Sequence, residues 1–506
     1  MPESPSPTLQ ALAPIRAESF GYSEARHLLL RAGFGGTPEQ IQTLVGWGPE
    51  RSVDYLVDVG KAPEYDADAS GIVSSIMGPP DAETRERYRR ARQTGDEEAL
   101  ARLQLERQRR QAEDRAQMRQ VQQWWLTRLI ETPRPLEEKM TLFWHGHFAT
   151  SYRTIEDSYH MFAQNSLYRA HAVGSFGALM HQVIRDPAML AYLDNNDSRK
   201  NRPNENLARE LMELFGLGVG NYSEQDIKEG ARALTGYTFE DDTFRFDRQN
   251  HDGGAKRILG RAGNMDGDDF VDTILAQPAC AQFISRKLYR FFAADVPPGG
   301  DVGREQAEAL REMANLLRRT KYQLGPVLKK LFLSEHFYSE SVVNQRIKSP
   351  AELLVGTVRS LRTPVRDLNI LLDALSLMGQ NLFFPPSVAG WEGERSWINT
   401  STLFVRQNIM AYLLTGKTPR GYDALADEQR FDPSAVMSQL RAADAAAAKD
   451  PARVIDYLLR FTLGQSPTNA KDELTAFVKG NGGGVSDDMI TGLLLLITAM
   501  PEYQLT

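Results

Sequence analysis

Between residues 136 and 360 apolar side chains recur three and four positions apart and scarcely ever two apart, the period of a helix that buries one face. The stripes predict helices over 136–144, 155–168, 176–184, 206–215, 223–234, 268–276, 279–292, 304–320 and 325–333, with one short hairpin at 238–246. A chain patterned this way folds as a mainly α protein: a large multi-helix domain with long ordered loops and at most a small β-hairpin. Residues 1–20, rich in Pro and Ser, read as a flexible leader. Residues 21–420 read as the helical core and 421–506 as a C-terminal helical segment packed on it. Within the core, 81–123 is dense in Arg, Glu and Gln of mixed sign, the pattern of a solvated helical hairpin held by i,i+4 pairs.

Composition excludes several classes of function. A single cysteine, Cys280, rules out an internal disulfide framework, an all-cysteine zinc site and an iron–sulfur cluster. Lys+Arg 59 against Asp+Glu 66 leaves a net charge of −7, so no global field draws in nucleic acid or anionic lipid. The charged stretch 81–123 carries nearly as many acids as arginines and hardly an aromatic, so no nucleic-acid partner is expected there either. The longest apolar run, 493–500, falls far short of the roughly 20 residues a membrane helix needs, so no membrane insertion is expected. The first 20 residues lack the cationic head and apolar stretch of a secretory signal, which makes the cytoplasm the default compartment.

Four stretches carry groups capable of chemistry. In the first, Phe143-Trp144-His145-Gly146-His147-Phe148, helical geometry points the two histidines about 200° apart. Only if the helix frays at Gly146 do they share a face and chelate a metal; otherwise they are core or interface residues. The second, 204–215, sets Glu205, Arg209, Glu210 and Glu213 along the edge of an apolar stripe formed by Leu207, Leu211, Leu214 and Phe215. Such a strip suits a carboxylate-lined pocket or oxygen ligands for a metal, and capping accounts for Asn204 and Glu205 on their own. The third joins His251-Asp252-Gly253-Gly254 to Asp266-Gly267-Asp268-Asp269, a mixture of nitrogen and oxygen donors that can wrap a divalent ion. Its alternative is a solvated loop with Asp268 capping the next helix. The fourth, 383–400, gathers Trp391 and Trp397 in a loop rich in Pro and Gly, either a packed lid or an aromatic platform for a sugar or base. The run Gly216–Gly220 ends a helix instead of opening one, so it reads as a helix stop and implies no nucleotide. The sequence has no Gly-x-Ser-x-Gly elbow, no His-Glu-x-x-His pair and no Walker loop.

The segments 27–36 (HLLLRAGFGG), 138–151 (EKMTLFWHGHFATS), 185–194 (RDPAMLAYLD) and 204–238 (NENLARELMELFGLGVGNYSEQDIKEGARALTGYT) resemble the bacterial family called domain of unknown function 1800. His251–Asp252, 263–269, 347–356 (IKSPAELLVG) and 384–391 continue the resemblance, which runs from about residue 20 to 415. It supplies no reaction. It implies proteins that are commonly exported, often by a twin-arginine signal, and often encoded beside a family similar to alkaline phosphatases and sulfatases. This chain departs from that pattern in lacking the signal, so a periplasmic location would require export with a partner. The resemblance also implies that the His, Asn and Glu segments assemble into one site.

From these readings the expected site has His145, His147, His251, Asp252 and Asp266 holding a divalent metal ion, with Glu205, Arg209 and Glu210 as catalytic groups. A metal-bound water would then be the nucleophile of a metal-dependent hydrolase, with Arg209 orienting a carboxylate or an anionic substrate. Two alternatives stand beside it. One is a non-catalytic escort or scaffold for a phosphatase- or sulfatase-like partner; the other is a metal-free carbohydrate-active enzyme using paired Glu residues.

Overall fold

The computed structural model describes residues 11–79, 81–297, 302–417 and 429–506. Among these residues the chain is mainly α, and its only sheets are two antiparallel two-stranded ribbons. The expected hairpin is present, Tyr237–Glu240 paired with Thr243–Phe246 so that Tyr237 faces Phe246. A second, Lys256–Ile258 with Arg261–Gly263, turns through Leu259 and Gly260, both at positive φ as a tight two-residue hairpin requires. Strands of three residues are too short to show a period, which is why the sequence pattern missed this ribbon.

One expectation at the edge of the core comes out differently, and one is met. Residues 1–10 of the expected leader lie outside the described residues, but 11–20 are docked: Leu12, Ile15 and Phe20 are buried, and Ile15 N–H donates to the Leu333 carbonyl (2.7 Å). Three well-spaced apolar side chains outweigh a Pro/Ser-rich composition. The charged insertion is a helical hairpin, Ala82–Thr94 followed by Glu97–Glu131, in which the first helix buries only Ala91. The second helix continues past the hairpin and docks through Val121, Trp125 and Leu129. No helix among the described residues is long and apolar enough to cross a membrane.

At the centre lies the helix Pro135–His147, in which every residue except Gly146 is buried. A helix buried all round must pair its charges, and this one carries them on opposite faces. Glu138 accepts from Arg128 Nε (2.9 Å), Arg169 Nε (2.6 Å) and Trp125 Nε1 (3.1 Å). Lys139, on another face, donates to Glu352 Oε1 (2.6 Å) at the start of the helix Pro350–Leu361. Burial pushes the Glu138 carboxyl up, but the two guanidiniums overcome it and hold it below the usual carboxylate range.

The tryptophan-bearing loop 383–397 seats on the C-terminal end of this central helix. Gly390 sits at φ +82°, and a Cβ there would collide with the Gly146 carbonyl oxygen. Phe383 anchors the other end of the loop, buried against Trp125 and His145 (ring centroids 4.8 and 5.1 Å). The C-terminal helices are tied in by buried cations: Arg26 Nε donates to the Phe461 carbonyl (2.7 Å) and Lys348 Nζ to that of Tyr503 (2.7 Å).

Two outcomes are expected from this architecture. Glu138→Gln leaves two buried guanidiniums without a counter-charge and should cost about 3–5 kcal/mol at pH 7 in chemical denaturation. Because the folded carboxyl is held low, its contribution is present above the unfolded value of about 4.3 and is lost as pH falls through the folded one. The gap between wild type and variant should therefore narrow at acid pH. Gly390→Ala should unseat the loop and open 384–397 to limited proteolysis while the melting temperature of the helical core barely moves.

Candidate functional site

The helix Pro135–His147 stays regular through its last residue, so the fraying that would bring His145 and His147 to one face does not occur. Gly146 separates them because Gly390 and Trp391 press against the backbone there. His145 turns inward, where its Nε2 accepts from Asn165 Nδ2 (2.9 Å) and its ring packs on Trp125 and Tyr168. Asn165 Oδ1 accepts from Arg169, which fixes the amide orientation and makes that nitrogen of His145 an acceptor. Burial, reinforced by Arg169, pushes its pKa down to about 3. The ring is a neutral core group.

His147 faces the other way. Its Nε2 lies 3.0 Å from the Phe215 carbonyl, an acceptor, so Nε2 carries the proton and Nδ1 the lone pair. That carbonyl is exposed because residues 211–216, expected as the end of an α-helix, form a π-helical turn (Leu211–Gly216) in which Leu217 N–H reaches back to Met212 O (2.8 Å). Nδ1 is buried without a hydrogen-bond partner. Burial and the Lys287 ammonium push the His147 pKa down to about 3, which leaves it neutral at physiological pH.

The remaining expected residues serve local structure. His251 Nδ1–H donates to the Thr235 carbonyl (2.8 Å), with the ring against Phe246. Asp252 pairs with Arg232 Nε (2.7 Å), which holds its pKa down at about 2. Asp266 caps the helix Gly267–Ala276 by accepting from the Asp268 and Asp269 N–H groups. Asp268, the expected cap, instead pairs with His181 Nδ1 (2.8 Å) and Arg185. Arg209 bridges Glu205 (3.2 Å) and Glu224 (2.9 Å) at the surface. Glu210 is half-buried beside Glu213, and burial first, then that like charge, pushes its carboxyl up. No three of His145, His147, His251, Asp252 and Asp266 bring ligand atoms within 4.8 Å of one another. These ligand atoms do not converge: His251, Asp252 and Asp266 are taken up by the Thr235 carbonyl, Arg232 and two backbone N–H groups.

What the fold does assemble is a cleft of about 600 Å³ between the end of the central helix, the helix Pro278–Phe292, the start of Pro350–Leu361 and the tryptophan loop. Of the expected residues only His147 lines it, joined by Phe143, Phe291 and Trp391 as apolar walls. The indole N–H of Trp391 is buried without a partner. The charged groups are Lys287, Arg290, Arg346, Glu352, Glu392 and Glu394. Arg290 pairs with Asp295 (2.9 Å), and Arg346 with Glu394 (3.2 Å). Glu352 takes Lys139, and it also caps its own helix by accepting from Ser349 N–H (2.7 Å). Burial pushes Glu352 up, but Lys139 and Arg346 together hold it far below its usual range. Burial likewise drives Lys139 down to about 8 against the pull of Glu352.

Lys287 differs from these. Its Nζ lies 5.3 Å over the Phe283 ring, and no carboxylate among the described residues is within ion-pair distance. Burial, then Arg290 one turn along, pushes its ammonium down from the usual lysine range. The sequence did carry a signal for it. Phe283, Lys287 and Phe291 fall four apart on one helical face with no acid beside the lysine, an unusual setting for a merely solvated cation.

A different trio, Asp157, His160 and Asp242, is the only one among the described residues whose ligand atoms all lie within 4.8 Å of one another. It closes on itself: Asp157 caps the helix Ser158–Ala170, and His160 Nε2 reaches Asp242 Oδ1 (3.1 Å). No curated protein and no solved structure matches the chain. The model of the family described as "Protein of unknown function (DUF1800)" matches residues 27–505, nearly the whole length, and the chain belongs to that family.

Proposed function

We propose that the cleft under Trp391 is the working site of this protein and that it takes a small organic anion. The observation that carries the reading is Lys287: a cation with no carboxylate partner among the described residues, lining a cavity of the size that encloses a small ligand. The other cleft cations have acids of their own, so an incoming anion gains most at Lys287. Phe143, Phe291 and Trp391 supply the apolar surface that covers the rest of such a ligand. The bare Nδ1 of His147 accepts a hydrogen bond and the Trp391 indole donates one, which favours a ligand with both an anionic oxygen and a hydroxyl.

Of the activities expected from the sequence, an enzymatic one fits this site better than an escort role. A recessed cleft holding an unpaired lysine and a neutral imidazole is arranged for a small molecule, whereas docking a folded partner calls for a broad exposed face. The metal-bound water of the hydrolase expectation has no support from ligand geometry, and the reading is carried without it. Calorimetric titration with lactate, benzoate and inorganic phosphate tests the assignment. Wild type should bind at least one of them saturably and more weakly as salt rises. Lys287→Ala should weaken that binding about ten- to hundredfold, the loss of one charge-assisted hydrogen bond of about 1.5–3 kcal/mol. Unchanged affinity in the variant would move the site elsewhere.

A further inference from the structure

We infer that Lys287 forms an imine with the carbonyl group of a small oxo acid held in the cleft, which makes it a covalent centre and not only an electrostatic anchor. The inference rests on the cleft being the ligand site and narrows its ligand to a carbonyl-bearing carboxylate. Three features of the geometry support it. First, the amine of the cleft-lining Lys287 lies over the Phe283 ring, with no acid among the described residues within ion-pair distance to keep it protonated. A lysine becomes nucleophilic when it is desolvated or placed beside another cation, and Lys287 has both conditions, with Arg290 on the same face one turn away. Second, His147 borders the same phenyl ring, its centroid 6.2 Å from that of Phe283. Its tautomer is fixed by the Phe215 carbonyl, so its free Nδ1 lone pair stays on the cleft-lining ring. Third, Arg290 and Arg346 line the cavity, each with a single carboxylate partner within 3.5 Å, so guanidinium N–H groups remain to receive a substrate carboxylate.

The step balances without an oxidant or a cofactor. The unprotonated Nζ attacks the carbonyl carbon, the C–N bond forms as the C=O π pair moves to oxygen, and that oxygen takes a proton. That proton comes from nitrogen, relayed through water. The carbinolamine hydroxyl then takes a second proton, drawn from solvent, and leaves as water while the nitrogen lone pair forms the C=N bond. The product is a protonated imine, which places positive charge next to the substrate carboxylate.

Reductive trapping separates this inference from the binding reading beneath it. Wild-type protein incubated with pyruvate or glyoxylate and cyanoborohydride should gain one covalent adduct by intact mass, and peptide mapping should place it on Lys287. Lys287→Arg has no primary amine, so it should melt at the wild-type temperature and lose the single adduct. If wild type binds lactate and pyruvate but pyruvate is not trapped, the covalent inference fails and the anion site stands. Adducts spread over surface lysines at equal levels in wild type and Lys287→Arg would also overturn it. If neither protein binds any of these acids, both readings fall together.

Discussion

The structure depends on charges that are buried on opposite faces of one helix. Glu138 and Lys139 follow one another in a segment with no exposed side, so each finds its partner on a different neighbour. Glu138 gathers Arg128 and Trp125 from the long helix and Arg169 from Ser158–Ala170, which fixes three helices about one carboxylate. Lys139 reaches the other way to Glu352 and orients the helix that forms one wall of the cleft. The same face logic runs one level further. His145 lies seven residues beyond Glu138, on the same side, and packs on the same Trp125; His147 falls on the side that opens to the cleft. Two histidines in one short motif thus have unrelated work.

Around Glu352 the buried cations outnumber the acids. Arg26, Arg31, Lys139, Arg346, Lys348 and Arg406 are all buried, and burial pushes Arg31 down to about 9 and both Arg26 and Arg406 to about 10. What compensates them is mostly backbone oxygen. Arg26 takes carbonyls at the end of the helix Pro451–Leu463, Arg31 takes that of Val342, Lys348 that of Tyr503 and Arg406 that of Lys348. The last carbonyls of a helix have no intrahelical donor and carry the negative end of its dipole, so cations are favoured there. The C-terminal segment thus supplies the acceptors of the Arg26 guanidinium and the Lys348 ammonium.

How much of this was legible in the sequence follows from the range of the interactions involved. The helical class, the charged hairpin and the Ser223–Asp226 capping box were readable because period and capping act within a few residues. The short helix Pro187–Tyr192 and the second ribbon are too brief to show a period. The expected metal ligands lie apart for a different reason. His251, Asp252 and Asp266 looked free because Thr235 O, Arg232 and two backbone N–H groups make no pattern with them in sequence, yet all three are satisfied in space. Conversely, only the fold shows that Glu352 is paired with Lys139 while Lys287 has no acid within ion-pair distance among the described residues. Local grammar marks elements well, whereas availability of a donor or acceptor is a property of the packed chain.

The cleft itself is an outgrowth of the core's charge pairing. A line of alternating sign runs from Lys139 through Glu352 and Arg346 to Glu394, at 2.6, 3.8 and 3.2 Å, from a fully buried ammonium to a carboxylate in the tryptophan loop. Arg346 also donates to the Phe291 carbonyl at the end of Pro278–Phe292. One guanidinium therefore holds the loop to two helices at once. Lys139–Glu352 is the shortest contact of the line and its most deeply buried, while Glu394 is the most exposed of the four groups. Together with the tight seat of Gly390 on Gly146, this grades the loop from a fixed foot to a tip held mainly by one ion pair. A cleft built in this way keeps its floor rigid while the roof can yield at Glu394, and Lys287 and His147 stand between the two.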